Sequence, residues 1–216
     1  MAADREREKR LAAEAAVELV SDGMSVGLGT GSTVAYFLPA LAARKLELTC
    51  VATSPRTEQE ARTLGLRLVA FDRLDHLDVA VDGADQITPS GWLIKGGGGA
   101  HAREKIVAQA ADRFVVIASS DKLVEALAPP VPLELLAFGV AATLRAVGHA
   151  RLRDAPPSPD GGLIADYLGP VEDPGTLSAR LAETPGVIEH GLFAPNLVAM
   201  VLVGRDGTVD RLTVSS

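Results

Sequence analysis

Met24-Ser25-Val26-Gly27-Leu28-Gly29-Thr30-Gly31-Ser32-Thr33-Val34 decides the fold of this chain. Met24 to Leu28 is a short, mostly apolar run of strand length, Gly29 to Thr33 is a glycine-rich turn, and Val34 to Ala43 continues as an apolar helix. Strand, tight turn and helix in that order open a βαβ unit, which builds parallel sheet. Pro39 falls inside the helix and removes the bond to the carbonyl of Ala35, so a kink or local break is expected there.

The same alternation extends in both directions. Residues 4–20 have helical spacing through Leu11, Ala15, Ala16 and Leu19, and Asp22-Gly23 ends that helix. Residues 46–52 and 67–71 read as strands around a helix at 57–64. Leu77 to Val81 is a strand ending at Asp82, residues 102–111 are helical, and Phe114 to Ala118 is a fully apolar strand. Apolar strands separated by helices predict an α/β fold, a doubly wound Rossmann-like, mostly parallel sheet covered on both faces. After Ala128-Pro129-Pro130 the pattern changes. Strand 131–136, helix 138–148, strands 149–153 and 163–166, helix 174–183 and strand 187–191 follow the β-α-β-β-α-β order of a ferredoxin-like α+β unit. Residues 198–203 and 209–214 read as a hairpin across the three-residue loop Arg205-Asp206-Gly207. The expected organisation is a catalytic Rossmann-like domain of residues 1–130 plus 197–216 and a smaller ferredoxin-like domain of residues 131–196.

Composition excludes several classes of function. With 216 residues and 47% hydrophobic content, the chain can bury a sizeable core. A net charge of −7 argues against nucleic-acid binding, and any anion site must be built locally against that field. Cys50 is the sole cysteine, which rules out an internal disulfide and points to a reducing, cytoplasmic setting. The N-terminal residues lack the apolar core of a signal sequence, and no apolar run reaches membrane-spanning length. The four histidines lack metal-ligand spacing, so no metal site is expected.

Four motifs could carry chemistry. Gly29-Thr30-Gly31-Ser32-Thr33 places backbone amides and hydroxyls at a helix start, where a phosphate would be held. An ordinary βα turn with a Ser or Thr cap uses the same residues. Asp82-Gly83-Ala84-Asp85 ends a strand, the position where open α/β sheets bind ligands; it is also a turn in which Asp side chains accept backbone amides. Lys95 opens a run of four glycines, Gly96 to Gly99. A cation beside bare amides suits charge developing on a substrate oxygen. Apolar flanks, Leu93-Ile94 and the following helix, favour a packed loop over a solvated linker. Glu104 lies near the start of that helix, where an acid is favourable with the dipole and, beside Lys95 and the Asp pair, credible as a general base. Lys122 follows a strand end and could contact an anion; Lys9 sits in a charge-rich helix.

In their order along the chain these residues resemble the ribose-5-phosphate isomerases of the A type. The matching segments are Gly27 to Val34, Thr53-Ser54 with Thr57-Glu58, Val81 to Asp85, Ile94 to Ala100, Arg103 to Ala108, the Lys122 region, Pro185-Gly186-Val187 and Gly191-Leu192-Phe193. The resemblance implies interconversion of ribose 5-phosphate and ribulose 5-phosphate through a cis-enediolate, without cofactor or metal. It makes Glu104 the base, with Lys95 and the amides of Gly96, Gly97 and Gly98 stabilising the enediolate oxygen. Asp82 and Asp85, with Gly83 and Ala84 between them, contact sugar hydroxyls and assist ring opening. Thr30, Gly31, Ser32 and Thr33 hold the phosphate with Lys122, and Lys9 matches a lysine that helps. A homodimer or homotetramer is also implied. The chain departs from the family pattern at Gln86, His101, Asp121, residues 158–162 and residues 195–197, none of which removes a proposed catalytic group. An amino-sugar-phosphate isomerase would want a His-assisted ring-opening site that cannot be placed here. A sugar-phosphate sensor of the transcription-regulator kind would carry a basic helix-turn-helix ahead of the phosphate turn, and too few residues precede it.

Overall fold

Strand β1 (Ser25–Leu28) is followed by the glycine turn and by helix α2 (Val34–Ala43), as the opening stretch predicts. The computed structural model describes residues 2–213, so Val214, expected to end the hairpin, lies outside the described residues. The remaining elements are α1 (Ala2–Val17), β2 (Thr49–Ala52), α3 (Pro55–Thr63), β3 (Val79–Asp82), β4 (Gln86–Ile87), β5 (Leu93–Ile94), α4 (His101–Gln109), β6 (Phe114–Ser119), β7 (Val131–Leu135), α5 (Val140–Val147), β8 (Ala150–Leu152), β9 (Leu163–Tyr167), α6 (Pro174–Ala182), β10 (Val187–His190), β11 (Leu192–Phe193), β12 (Met200–Arg205) and β13 (Thr208–Leu212). They fall into two units. Among the described residues, the first takes in the chain as far as Ala84, Arg103–Lys122 and the stretch from Asn196; the second comprises Asp85–Ala102 and Leu123–Pro195.

The first unit is built on a six-stranded sheet of order β13-β12-β6-β3-β1-β2. All neighbours are parallel except the hairpin partners β12 and β13. The strands are parallel because helices return the chain between them, and apolar because both faces are covered. One face carries Val26, Leu28, Val79, Val81, Ile117 and Leu202, packed with Phe37, Leu38 and Leu41 of α2 and Ala12, Ala13 and Ala16 of α1. Burying a side chain such as Phe37, which is fully covered, stabilises the fold by about 1.5–3 kcal/mol. The alanines of α1 let it approach closely: a Cβ on Gly204 of β12 would lie 2.0 Å from the carbonyl oxygen of Glu8. On the other face Gly27 meets α4, where a Cβ would lie 2.5 Å from Val107.

Chain order reverses between β1 and β3. From β1 the chain moves outward to β2, and then returns to pair β3 on the opposite side. Such a switch point splays the two strand-to-helix connections apart and leaves a crevice at the strand carboxyl ends. Gly29 and Asp82 stand at those two ends.

The second unit contains a four-stranded antiparallel sheet of order β10-β7-β9-β8, with α5 and α6 as its crossovers. This is the ferredoxin-like arrangement expected from element order. Leu133, Leu135, Ala165, Tyr167, Leu177 and Leu181 form its core. A three-stranded sheet, β11-β5-β4, also belongs to this unit.

Four local expectations are corrected. The span 67–71 is not a strand: Leu68 makes a single bridge to Cys50 at the edge of the sheet, and the chain turns into a 3-10 segment at Phe71–Arg73. The hairpin loop has two residues, because Arg205 pairs with Thr208. Asp206 and Gly207 both take positive φ, 49° and 84°, which is the tight turn that matches strand twist. Helix α2 runs unbroken through Pro39, whose ring is exposed while the Ala35 carbonyl that loses its partner is on a half-buried face. Helix α3 starts two residues before the expected 57, capped by Ser54 with Pro55 at its first position.

Candidate active site

At the carboxyl end of β1 the backbone amide of Gly29 donates to the carbonyl of Val81 across the switch point, 2.9 Å. The next amide, Thr30, donates to Oδ1 of Asp82, 3.0 Å, and the amide of Gly83 donates to the same oxygen, 2.7 Å. Asp82 is only 3% exposed and thus holds both the phosphate-type turn and its own turn in register. Gly29 has to be glycine: a Cβ would lie 2.0 Å from the Asp82 carboxyl carbon.

The turn is clamped from a second side by hydroxyls of the β2–α3 connection. Thr30 Oγ1 lies 2.9 Å from Thr53 Oγ1, 2.8 Å from Ser54 Oγ and 3.1 Å from Thr57 Oγ1. Thr57 Oγ1 in turn donates to the carbonyl of Gly29, 2.9 Å. Ser54 caps α3 by accepting the amide of Thr57, 3.2 Å. The Thr30 hydroxyl therefore points into the protein. Gly31 and Ser32 are exposed at the tip, Gly31 with φ 140°, and Thr33 is buried. No side chain caps α2 at Thr33. The positive end of that helix and the exposed Ser32 hydroxyl thus lie together at the tip of the turn.

Two more groups belong to the first unit. Glu104 is buried, 4% exposed, in the first turn of α4. Lys122 ends the 3-10 turn that follows β6 and is half-buried. Glu8 of α1 accepts from the amide and hydroxyl of Ser120, with its Oε2 2.9 Å from each, and so orders that turn.

In the second unit the glycine run follows β5. Lys95 is 2% exposed, and its ammonium stands 5.4 Å from the centre of the Phe193 ring. Its own amide donates, at 2.9 Å, to the carbonyl of Gly191, the residue that leads into β11. Gly96 and Gly99 take positive φ, 101° and 73°, and are buried, while Gly97 and Gly98 are exposed. His101 is fully buried beneath Gly96, where a Cβ would lie 2.7 Å from its Nδ1. Asp85 is exposed, and its Oδ2 accepts the amide of Gly97, 2.9 Å. A buried lysine and bare glycine amides thus lie on one loop, and Asp85 reaches it from before β4 to hold the Gly97 amide.

Residues 49–208 match the family model described as ribose 5-phosphate isomerase A (phosphoriboisomerase A). The chain belongs to that family. A ribose-5-phosphate isomerase A of Rhodopseudomonas palustris is 44% identical over 230 residues, covering 96% of this chain and 99% of the relative. The solved ribose 5-phosphate isomerase A of Methanocaldococcus jannaschii superposes with a TM-score of 0.90 at 36% identity, covering 95% of this chain and 97% of that one. A third relative, a D-ribose-5-phosphate isomerase solved in complex with phospho-erythronic acid, has a TM-score of 0.91 at 34% identity, covering 97% and 99%.

Against the family pattern, the structure brings Thr30, Gly31, Ser32, Thr33, Asp82, Gly83 and Ala84 to the switch point of the first unit. It places Asp85, Lys95, Gly96, Gly97 and Gly98 together in the second. Lys9 stands in α1 with its ammonium 2.7 Å from Glu6, whose other oxygen accepts from Tyr36, 2.7 Å. Thr53 lies in a segment that matches the family, whereas Glu8, Arg153 and Asp166 carried no sequence signal of their own. Thr53 and Glu8 hold their targets from distant segments, and Arg153 and Asp166 bear on the glycine run from β8 and β9. His76, Asp78 and Asp112 also cluster within 4.8 Å, at the amino end of β3. There Asp78 takes the amide and hydroxyl of Ser25, 2.7 and 2.6 Å, which gives it a structural task.

Proposed function

We propose that this chain is a ribose-5-phosphate isomerase in which Glu104 moves one proton between C2 and C1 of the open-chain sugar. Glu104 takes the C2 proton, the C2 electron pair forms the C1–C2 double bond, and negative charge passes to O1. Passage of the O2 hydroxyl proton to O1, formation of the C2 carbonyl and return of the carbon-bound proton to C1 give ribulose 5-phosphate. One carboxylate serves both half-reactions because it holds the proton between them. Lys95 and the amide of Gly98 offset the oxyanion, with the neighbouring Gly97 amide held by Asp85, and Asp82 and Asp85 contact the hydroxyls that open the ring. The phosphate, held at Ser32 and the α2 terminus with Lys122 and Lys9, supplies binding energy remote from the reacting carbons.

The observation that carries the reading is a carboxylate at Glu104 only 4% exposed, in a chain matching the isomerase family over residues 49–208. Burying an ionisable acid is costly, so a function repays its retention. The sole cysteine fits a reducing, cytoplasmic setting, and among the described residues no helix is long and apolar enough to cross a membrane. Phe138, 93% exposed, and Leu136, 51% exposed, support association of copies into a dimer or tetramer.

The test is formation of ketopentose phosphate from ribose 5-phosphate, with and without chelator, by wild type and Glu104→Gln. The glutamine variant should lose about 10²–10⁴-fold in kcat. An inactive wild type sinks the proposal, an unimpaired variant removes Glu104 as base, and loss of activity with chelator overturns a metal-free reaction.

A further inference from the structure

A run of four glycines has no side chains with which to hold a shape, and each pays a large entropic cost on being ordered. Something outside the run must fix it if its amides are to aim at a substrate. The structure supplies two grips on neighbouring peptide planes. The Gly97 amide donates to Oδ2 of Asp85, 2.9 Å. From the other side Arg153 Nη1 donates to the carbonyl of Gly97, 2.9 Å, and reaches that of Gly96, 3.4 Å.

Arg153 is itself fixed. Its Nε and Nη2 donate to the two carboxylate oxygens of Asp166 on β9, 3.1 and 2.5 Å. Its backbone amide donates to the carbonyl of Ile164, 2.9 Å, and Gly99 packs against the Ile164 side chain, where a Cβ would lie 3.3 Å away. The guanidinium suits this task because it is a planar fork: one edge pairs with a carboxylate and the remaining nitrogen still donates. Arg153 and Asp166 are 23% and 21% exposed at their side chains, so the pair is partly shielded from water.

The consequence follows from peptide planarity. In a trans peptide the carbonyl and the following N–H point in opposite directions. Arg153 holds the Gly97 carbonyl towards itself, so the amide of Gly98 points away from Arg153, on the exposed stretch of the run.

We propose that Arg153, braced by Asp166, is a positioning residue that fixes the Gly97–Gly98 peptide with its amide aimed as an oxyanion donor. This rests on the reading that Lys95 and the glycine amides stabilise the enediolate. Arg153 acts through the peptide and touches no reacting atom. Its removal should therefore raise the barrier to proton transfer and leave ground-state binding of the sugar phosphate alone. A contact to the phosphate would do the reverse.

The experiment compares wild type, Arg153→Ala, Arg153→Lys, Asp166→Asn, the Ala/Asn double variant and Lys95→Met, each with its melting temperature. It measures kcat and KM for ribose 5-phosphate, and inhibition by phospho-erythronic acid and by inorganic phosphate. Arg153→Ala should lose about 100-fold in kcat, the scale of a small misplacement of a catalytic group. Its KM and phosphate inhibition should stay within about threefold of wild type, the signature of an interaction made only in the transition state. Inhibition by phospho-erythronic acid, which carries a carboxylate as well as a phosphate, should weaken in step with kcat. Asp166→Asn should show a smaller loss of the same kind, the double variant should be no worse than Arg153→Ala, and Arg153→Lys should recover part of the loss. A folded Arg153→Ala variant with wild-type kcat overturns the inference, as does a kcat loss matched by loss of phosphate affinity. If Arg153→Ala fails to fold, Arg153→Lys decides: wild-type kcat in that variant counts against a role for the fork. Unchanged kcat in Lys95→Met is a separate failure, of the underlying reading of the loop.

Discussion

The carboxylate of Asp82 accepts the amide of Thr30, 3.0 Å away, and so ties the end of β3 to the turn that follows β1. These strands are neighbours in the parallel sheet, and the bond closes their splayed ends at the switch point. The spacing leaves no room for a side chain at Gly29.

Gly29→Ala should therefore be damaging where Gly83→Ala is mild, although both glycines flank Asp82. A Cβ on Gly29 would lie 2.0 Å from the Asp82 carboxyl carbon, whereas one on Gly83 would meet only the Ile117 carbonyl oxygen, at 3.8 Å. Overpacking of this kind costs about 1–3 kcal/mol. Chemical denaturation should show that loss for Gly29→Ala and near-wild-type stability for Gly83→Ala. Equal stability of the two variants would mean that Asp82 can move aside without cost.

Much of this architecture could be read from the chain because local signals and the global fold agree. The run from Val26 to Val34 already combines apolar strand, glycine turn and helix, and the all-apolar Phe114 to Ala118 could only be a buried strand. Where reading failed, the deciding contact was between distant segments. Nothing near Leu192 says that it pairs with Ile94, and residues 67–71 are apolar enough for a strand but find only Cys50 to pair with. Arg153 looks like one surface charge among several until β9 sets Asp166 beside it and the glycine run across from it. Two misses were local and legible: Ser54-Pro55 is a helix start, and Asp206-Gly207 is a two-residue hairpin turn.

Asp78 links acid stability to the amino end of the same sheet. Hydrogen bonds from the Ser25 hydroxyl and amide hold its carboxyl below the ordinary value of 3.8. The folded state thus keeps this group ionised at pH values where the unfolded chain has taken up a proton. Its contribution is complete above the unfolded value and is lost as pH falls through the lower, folded one. Ser25→Ala should therefore reduce stability at neutral pH and flatten its fall below roughly pH 4. An acid limb identical to that of wild type would exclude Asp78 as a contributor.

Cys50 makes the opposite, alkaline case. Burial in β2 pushes its thiol up to about 12. From roughly pH 8.5 upward the unfolded thiol ionises while the folded one does not, so stability should fall with rising pH until the folded value is passed. Cys50→Ala should lessen that slope. Wild-type Cys50 should also resist thiol reagents in the native protein and react once denatured, since the thiolate is the reactive form. Rapid native labelling at pH 8 would contradict its burial.

Thr30 and Ser32 are two residues apart in one turn, yet their surroundings are opposite. The Thr30 hydroxyl is turned inward on Thr53, Ser54 and Thr57, all within 3.1 Å, while Ser32 is exposed at the tip of an uncapped helix. Thr30→Val replaces that hydroxyl by a methyl and strands polar groups in a buried cluster, at about 1–3 kcal/mol. Its main effect should be a lower denaturation midpoint. Ser32→Ala removes a surface group and should alter stability by no more than about 0.5 kcal/mol. It should instead raise KM for ribose 5-phosphate about tenfold with kcat retained, because a phosphate contact is made equally in ground and transition states. The reverse pattern, with Thr30→Val changing KM alone and Ser32→Ala unfolding the protein, would place the phosphate on the inward hydroxyl and overturn this division of the turn.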